Sequence, residues 1–168
     1  MALALVAMPA IGEAQERPRN VVTWQPLSLI TSYIDLEYER AIGTRFSVYA
    51  APGAIFSRTR HLDGTTSIGV FGVSLDVGGR WFPLRDAPSG LFVDLGLGVF
   101  TSAFSDFGKR VQGFGLRGML LAGYTLILAR HFVLSGGVGV QASSFDRGDN
   151  VAEAHVYPVL RVAVGASF

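Results

Sequence analysis

Large apolar residues occupy every second position in the C-terminal stretch of the chain, and mostly small or polar residues lie between them. The apolar row consists of Val156, Pro158, Leu160, Val162, Val164, Ala166 and Phe168. A period of two places successive side chains on opposite faces of a β-strand. The same alternation recurs at 71–81, 91–100, 114–128 and 132–140. The pattern therefore predicts a chain built largely of strands.

The alternating segments predict eight strands. Their approximate ranges are 20–30, 33–42, 45–59, 67–83, 90–105, 111–129, 131–146 and 153–168. Tight turns at 42–45, 83–90 and 128–131 alternate with longer, more charged loops at 60–66, 105–111 and 146–152, which indicates an antiparallel up-and-down meander with two unlike ends. Pro26 interrupts the first segment and the reversal near Thr31 is short. One long bent strand there, and seven strands in total, is the alternative.

The composition decides which face of the strands points inward. Hydrophobic residues make up 49% of the chain and charged residues only 16%, against about 25% charged residues in a typical soluble domain. The lumen of an eight-stranded barrel is too narrow for the large apolar row, whereas the 21 glycines leave room inside. A closed barrel also leaves no unpaired strand edge in lipid. We therefore expect an all-β, eight-stranded transmembrane β-barrel.

Several classes of protein are disfavoured by composition. A net charge of +1 without a basic run gives no electrostatic footprint for nucleic acid. The absence of cysteine excludes a thiolate metal site, a catalytic thiol and a disulfide framework. The longest charge-free apolar runs, 2–11 and 119–129, are too short for a transmembrane helix, which needs about 20 residues.

The first residues resemble a secretory signal. An apolar run at 2–11 is followed by Gly12, Glu13 and Ala14, which resembles a small-x-small cleavage site. We expect a signal peptide at 1–14 and a barrel domain at 15–168. No Lys or Arg precedes the apolar run, and a buried N-terminal strand or helix is the alternative.

Aromatic residues lie where the two membrane interfaces are expected. A girdle at the end with the tight turns would contain Phe46, Trp81, Phe132 and Phe168, and a second girdle at the other end would contain Phe56, Phe104, Phe107, Phe114 and Phe145. Arg40 is the exception on the apolar rows of the clear strands. It lies close to a turn, where its guanidinium can reach the interface.

The inward rows contain most of the charged residues of the strands. They are Asp35, Glu37, Glu39, Asp76, Arg80, Asp94, Arg117 and Arg161. An unpaired charge is costly in a low-dielectric lumen, so we expect a hydrogen-bonded network of opposite charges, with Tyr49, Gln141 and Tyr157 adding hydrogen bonds. The favoured interpretation is a structural plug. A narrow polar path for water, protons or ions uses the same residues and is the alternative.

The sequence predicts neither a catalytic site nor a cofactor. His61, His131 and His155 are scattered over the ends of strands and have no metal-ligand spacing. A lipid hydrolase would require a serine such as Ser143 or Ser144 beside His155, with Asp149 or Glu153 as the orienting acid. We regard this as the least favoured alternative, and we expect no enzyme and no metal.

The chain resembles the small eight-stranded outer-membrane β-barrel proteins of Gram-negative bacteria, the OmpA/OmpX-like and OmpW-like group. The resemblance lies in the leader, in the strand-turn-strand pattern of 74–100, and in the ending LRVAVGASF with its row of Val164, Ala166 and Phe168. It covers about residues 20–168. It implies secretion, recognition of the last strand by the barrel assembly machinery, and a monomer in contact with outer-membrane lipid.

The resemblance does not identify a particular function. A structural, membrane-stabilising role is the first expectation. A narrow channel or carrier for small or hydrophobic solutes is the second, and it would require a gap in the lumen or a lateral opening in the wall. A soluble periplasmic ligand-binding barrel is a third alternative.

Overall fold

The computed structural model describes residues 18–60, 67–106, 109–146 and 154–168, and within them the chain forms eight β-strands and one short 3-10 helix. The signal peptide predicted at 1–14 lies outside the described residues. The strands are β1 (Asn20–Trp24), β2 (Tyr33–Ala41), β3 (Phe46–Arg60), β4 (Ser67–Trp81), β5 (Gly90–Asp106), β6 (Lys109–Leu128), β7 (Phe132–Asp146) and β8 (His155–Ser167), and the 3-10 helix covers Pro26–Thr31.

Each strand pairs antiparallel with the next one along the chain, and β1 pairs with β8, so the sheet closes on itself. The predicted all-β, antiparallel, up-and-down barrel of eight strands is confirmed. Among the described residues, the structure contains no helix that is long and apolar enough to cross a membrane.

The two ends of the barrel differ, and we name them by their connections. The turn end contains the connections 42–45, 82–89 and 129–131, and the loop end is the opposite one. In the last of these connections Ala129 and Arg130 have φ of 47° and 68°, and the His131 N–H donates to the Leu128 carbonyl at 3.1 Å. Positive φ at both central positions defines a type I′ turn, whose twist matches that of the flanking strands.

The first segment differs from its predicted range of 20–30. Strand β1 ends at Trp24, and the 3-10 helix follows from Pro26. Proline has no N–H to donate and a φ fixed near the helical range, so it suits the first turn of a helix better than a paired strand. The strand count is nevertheless eight. At the loop end, the β5–β6 pairing continues to Asp106 and Lys109, so the connection is shorter than the predicted loop 105–111.

Most of the large apolar residues of the strands face outward. Leu95, Leu160 and Phe168 are 65%, 64% and 63% exposed, whereas the Arg80, Glu37 and Asp94 side chains of the inward rows are 2% exposed or less. This is the orientation that the alternation predicts, and the inverse of a soluble barrel with an apolar interior.

Exposed aromatic residues form two rows on the outer surface. Phe46 pairs with Trp81 near the turn end, and Phe56 pairs with Phe71 ten residues farther along the same two strands. A rise of about 3.3 Å per residue and a tilt of about 40° make the separation about 25 Å along the barrel axis. Phe132 and Phe168, also exposed, extend the row at the turn end.

The predicted second girdle is only partly described. Phe114 is 49% exposed on the outer face. Phe145 was predicted on that girdle, which is wrong: its ring lies inside the barrel, 5.8 Å from the Phe100 ring and stacked on it, because residue 145 belongs to the inward row of β7. The Phe104 side chain and Phe107 lie outside the described residues.

Candidate functional site

The turn end of the lumen is closed by an apolar floor. Phe82, from the connection after β4, packs against Phe92 of β5 with ring centroids 6.0 Å apart, and Ala41 and Ala87 complete the buried cluster. The connection is held in place by backbone hydrogen bonds: the Phe82 N–H donates to the Arg45 carbonyl at 2.9 Å, and the Ala87 N–H to the Thr44 carbonyl at 2.8 Å. The floor seals this end with apolar side chains.

Above the floor, Arg80 joins three carboxylates. Its Nε donates to Asp94 Oδ2 at 3.0 Å, its Nη2 to Glu37 at 2.8 and 2.9 Å, and its Nη1 to Glu39. The guanidinium also lies 4.8 Å from the centroid of the Tyr49 ring. All three acids are at most 2% exposed. Their low-dielectric surroundings strengthen these charge-assisted bonds.

A second guanidinium enters the same cluster from β8. Arg161 Nη2 donates to Glu37 Oε2 at 2.6 Å, and Nη1 lies 3.6 Å from Asp94. Arg161 Nε has no hydrogen-bond partner among the described residues. Together with Arg80, these side chains link β2, β4, β5 and β8 across the lumen, and we call the group Arg80, Arg161, Glu37, Glu39 and Asp94 the lower network.

A separate cluster lies nearer the loop end. Arg117 is paired with Asp76, and its Nη2 donates to the Tyr33 hydroxyl at 2.9 Å. The Tyr33 and Ser74 hydroxyls are 2.8 Å apart. The Arg117 and Asp76 side chains are each 16% exposed, so this ion pair is partly accessible, unlike the lower network.

Asp35 is the predicted lumen acid that the structure leaves outside the ion pairs. It accepts hydrogen bonds from Gln25 and from the Ser28 hydroxyl, at 3.3 Å in the latter case. It forms no ion pair with any side chain in the described ranges, although it is only 2% exposed.

The other polar residues proposed for the lumen have mixed positions. Tyr49 donates to Asp94 Oδ1 at 3.0 Å, next to the lower network. Gln141 and Tyr157 bond to each other near the loop end. Gln25, Tyr33 and Ser74 also contribute to the lumen, although the sequence pattern did not predict them as site residues. Tyr33 and Ser74 lie on inward rows, so the alternation could have identified them. Gln25 lies between β1 and the 3-10 helix, and its position depends on where β1 ends, which the alternation does not show.

A cavity of about 450 Å³ lies between the two clusters. Its polar lining includes Asp35, Glu37, Asp76, Arg117 and Arg161, and Met119 contributes an apolar surface. Leu27, Leu160 and Val162 also line it, although Leu160 belongs to the outward row of β8. The cavity therefore extends from the lumen to the 3-10 helix and to residues 159–162 of β8.

The strand pairing of the wall is incomplete on this side of the cavity. Strand β1 pairs with β8 only from Asn20–Phe168 to Trp24–Val164, because β1 is five residues long. Residues 155–163 of β8 extend beyond it, and the 3-10 helix lies beside this part of β8 and beside β2. We call this part of the wall the lateral opening.

No cluster of possible metal ligands appears in the parts of the chain that the structure describes. They contain no group of three or more His, Cys, Asp or Glu side chains that could hold a metal ion. Ser143 and His155 are register partners on β7 and β8, whereas the acids proposed to complete a hydrolase site, Asp149 and Glu153, and also His61, lie outside the described residues. His131 is in the last turn, with Nδ1 3.4 Å from the Ser167 carbonyl.

Comparisons with protein-family models, with curated proteins and with solved structures give no match for this chain.

Proposed function

We propose that this protein is an integral β-barrel of the bacterial outer membrane, with a primarily structural, membrane-stabilising role. The observation that carries the proposal is the orientation of the side chains: apolar residues surround the outside of the barrel, and the ion pairs are inside. A soluble monomer rarely exposes an apolar patch of more than a few hundred Å², whereas here exposed Val, Leu and Phe side chains occur on every strand from β2 to β8.

The spacing of the two aromatic rows supports the same proposal. Their separation of about 25 Å equals the height of the apolar band of outer-membrane barrels. Phe168 continues the row at the turn end, and its backbone N–H and carbonyl bond to Asn20 at 3.0 Å in both directions. In the proposed protein, the row of Val164, Ala166 and Phe168 serves as the signal for the barrel assembly machinery, and the partners in the membrane are lipids.

The interior supports a structural role rather than conduction. The apolar floor and the lower network fill the turn end, so a continuous water path would have to displace both. The ion pairs join strands that are distant in sequence, which fixes strand register as well as packing. In this proposal the protein is a monomer without enzymatic activity.

The lateral opening favours a second candidate function, a carrier for small hydrophobic solutes. A carrier of this kind would take up its solute through the wall rather than along the barrel axis. The closed floor is compatible with this function because the solute need not cross the lumen.

Two arginine substitutions test the membrane location. Leu75 is 46% exposed on β4 between the aromatic rows, and Leu84 is 76% exposed in a connection at the turn end. We expect Leu75→Arg to lower the free energy of unfolding in lipid vesicles by about 2–4 kcal/mol, and Leu84→Arg by about 0–1 kcal/mol.

A companion measurement uses the unsubstituted protein. It should sediment with outer membranes and change its gel mobility on boiling. Equal effects of the two arginines, together with a mature chain that stays monomeric in buffer without detergent, would contradict the proposal and favour the soluble ligand-binding barrel.

A further inference from the structure

The two ends of the cavity have different chemistry. On the lumen side its lining is ionic and hydrogen-bonding, with Asp35, Glu37 and Arg117. At the lateral opening its lining is aliphatic, with Leu27, Leu160 and Val162. A site that is polar at one end and apolar at the other is complementary to an amphiphile, whose head would occupy the lumen and whose chain would point towards the bilayer.

The charge of the lumen selects the kind of head group. The described part of the lumen contains five carboxylates, of Asp35, Glu37, Glu39, Asp76 and Asp94, and three guanidiniums, of Arg80, Arg117 and Arg161. The surplus is therefore negative, and Asp35 is the acid without an ion pair among them. A buried acid without a direct ion pair gains from an added cation and not from an added anion.

The edge of β8 at the lateral opening is unsuited to pairing with another strand. Phe168 bonds to Asn20 on the β1 side, and since bonding sides alternate along an antiparallel strand, Pro158 has its nitrogen on that same side. Proline offers no N–H there, and a proline on an edge strand discourages strand addition. The opening is therefore suited to a non-protein occupant.

We propose that the cavity binds a single-chain amphiphile with a protonated amine head, with the ammonium beside Asp35 and the hydrocarbon chain in the lateral opening between Leu27 and Leu160. The inference deepens the carrier function proposed above and rests on the membrane location. A cavity of about 450 Å³ lies within the usual range for small-molecule sites, about 300–1,000 Å³.

The experiment uses a tryptophan at the opening as its reporter. The chain has two tryptophans. Trp24 ends β1 directly before Gln25, which lines the cavity, whereas Trp81 pairs with Phe46 at the turn end. In a Trp81→Phe background, refolded into phosphatidylcholine vesicles, Trp24 fluorescence is titrated with dodecylamine, dodecanoate, dodecanol and propylamine.

The four probes separate the contributions of head and chain. We expect saturable binding of dodecylamine, with an affinity about tenfold or more above that of dodecanol and dodecanoate. Propylamine has the same ammonium without a long chain, and we expect it to bind at least tenfold more weakly than dodecylamine. Tight binding of propylamine would identify a simple cation site and overturn the amphiphile proposal.

Matched variants locate the site. Asp35→Asn retains the shape and an acceptor oxygen for Gln25, and should weaken dodecylamine binding about tenfold. Glu39→Gln removes a charge from the lower network at a side chain that does not itself line the cavity, and should leave binding unchanged. The comparison of the four probes uses protein that retains Asp35 and Glu39, so it does not depend on whether either variant folds.

The outcomes distinguish this inference from the proposed function. Equal changes in Trp24 fluorescence with dodecylamine, dodecanol and dodecanoate, both with Asp35 and in Asp35→Asn, would mean that the probes only partition into the bilayer. This result would overturn the amine site. Preference for dodecanoate would overturn it as well. In either case the gel shift on boiling and the Leu75→Arg result still report independently whether the barrel is a membrane protein.

Discussion

Replacement of Arg80 by methionine should be among the most destabilising single changes in the lumen. Arg80 is 1% exposed and bonds to Asp94, Glu37 and Glu39. Removing one partner of a buried ion pair typically costs about 3–5 kcal/mol, because the other charge stays buried without compensation. We therefore expect Arg80→Met to lower the free energy of unfolding by about 3–5 kcal/mol.

The structure also predicts which acid is left without a partner. Arg161 remains 2.6 Å from Glu37 and 3.6 Å from Asp94, so these two acids keep a guanidinium. Glu39 retains only the hydrogen bond from Ser47. Adding Glu39→Gln to Arg80→Met should therefore restore about 1–3 kcal/mol, although each substitution alone is destabilising.

The assay is unfolding by urea in lipid vesicles, followed by tryptophan fluorescence and by gel mobility, with coincident transitions as the check for two-state behaviour. Arg80→Lys is the control that keeps the positive charge but lacks the planar guanidinium. Its free energy of unfolding should lie between those of the parent and of Arg80→Met. A single variant within about 1 kcal/mol of the parent, or a double variant whose loss equals the sum of the single losses, would refute the account of the lower network.

Three further expectations concern other parts of the barrel. Gly96→Ala should lower stability by about 1–3 kcal/mol in the same unfolding assay, because a methyl group there would overlap the Tyr49 hydroxyl. The outward Gly118→Ala, whose added carbon would lie 3.8 Å from a leucine methyl, should be neutral. Arg130→Gly should raise the free energy of unfolding by about 1 kcal/mol, because glycine adopts positive φ without strain. A lower unfolding midpoint would contradict the turn assignment. Protein reconstituted in planar bilayers should show no discrete conductance steps, since the floor closes the turn end, and steps that persist in purified protein would support the channel instead.

The alternation of residue types is sufficient to predict most strands and the direction of their side chains. Period two is a local property, and strands β3 to β8 are long enough to show it repeatedly. The prediction for the first segment is wrong because a 3-10 helix begins at Pro26. The apolar residues that follow it, Leu27 to Ile30, also suit a strand.

The choice of partners inside the lumen is not predictable from row membership. The sequence places Asp76, Asp94, Arg80 and Arg117 on inward rows, but which acid meets which arginine depends on the stagger between strands. Pairing then places Arg80 opposite Asp94 and Gly98 opposite Arg117. The floor was missed for a similar reason: Phe82 belongs to a turn, and nothing local to it shows that the turn folds under the barrel.

The brevity of β1 has a mechanical consequence for the whole barrel. The seam between the first and last strands contains four register pairs and the two backbone hydrogen bonds between Asn20 and Phe168, whereas the β3–β4 boundary contains fifteen pairs. On heating, the hydrogen bonds between β1 and β8 should therefore break first, and the neighbouring strand pairs should separate afterwards. A gel shift on heating then measures how long the seam survives, while the six long strands can remain joined as a curved sheet.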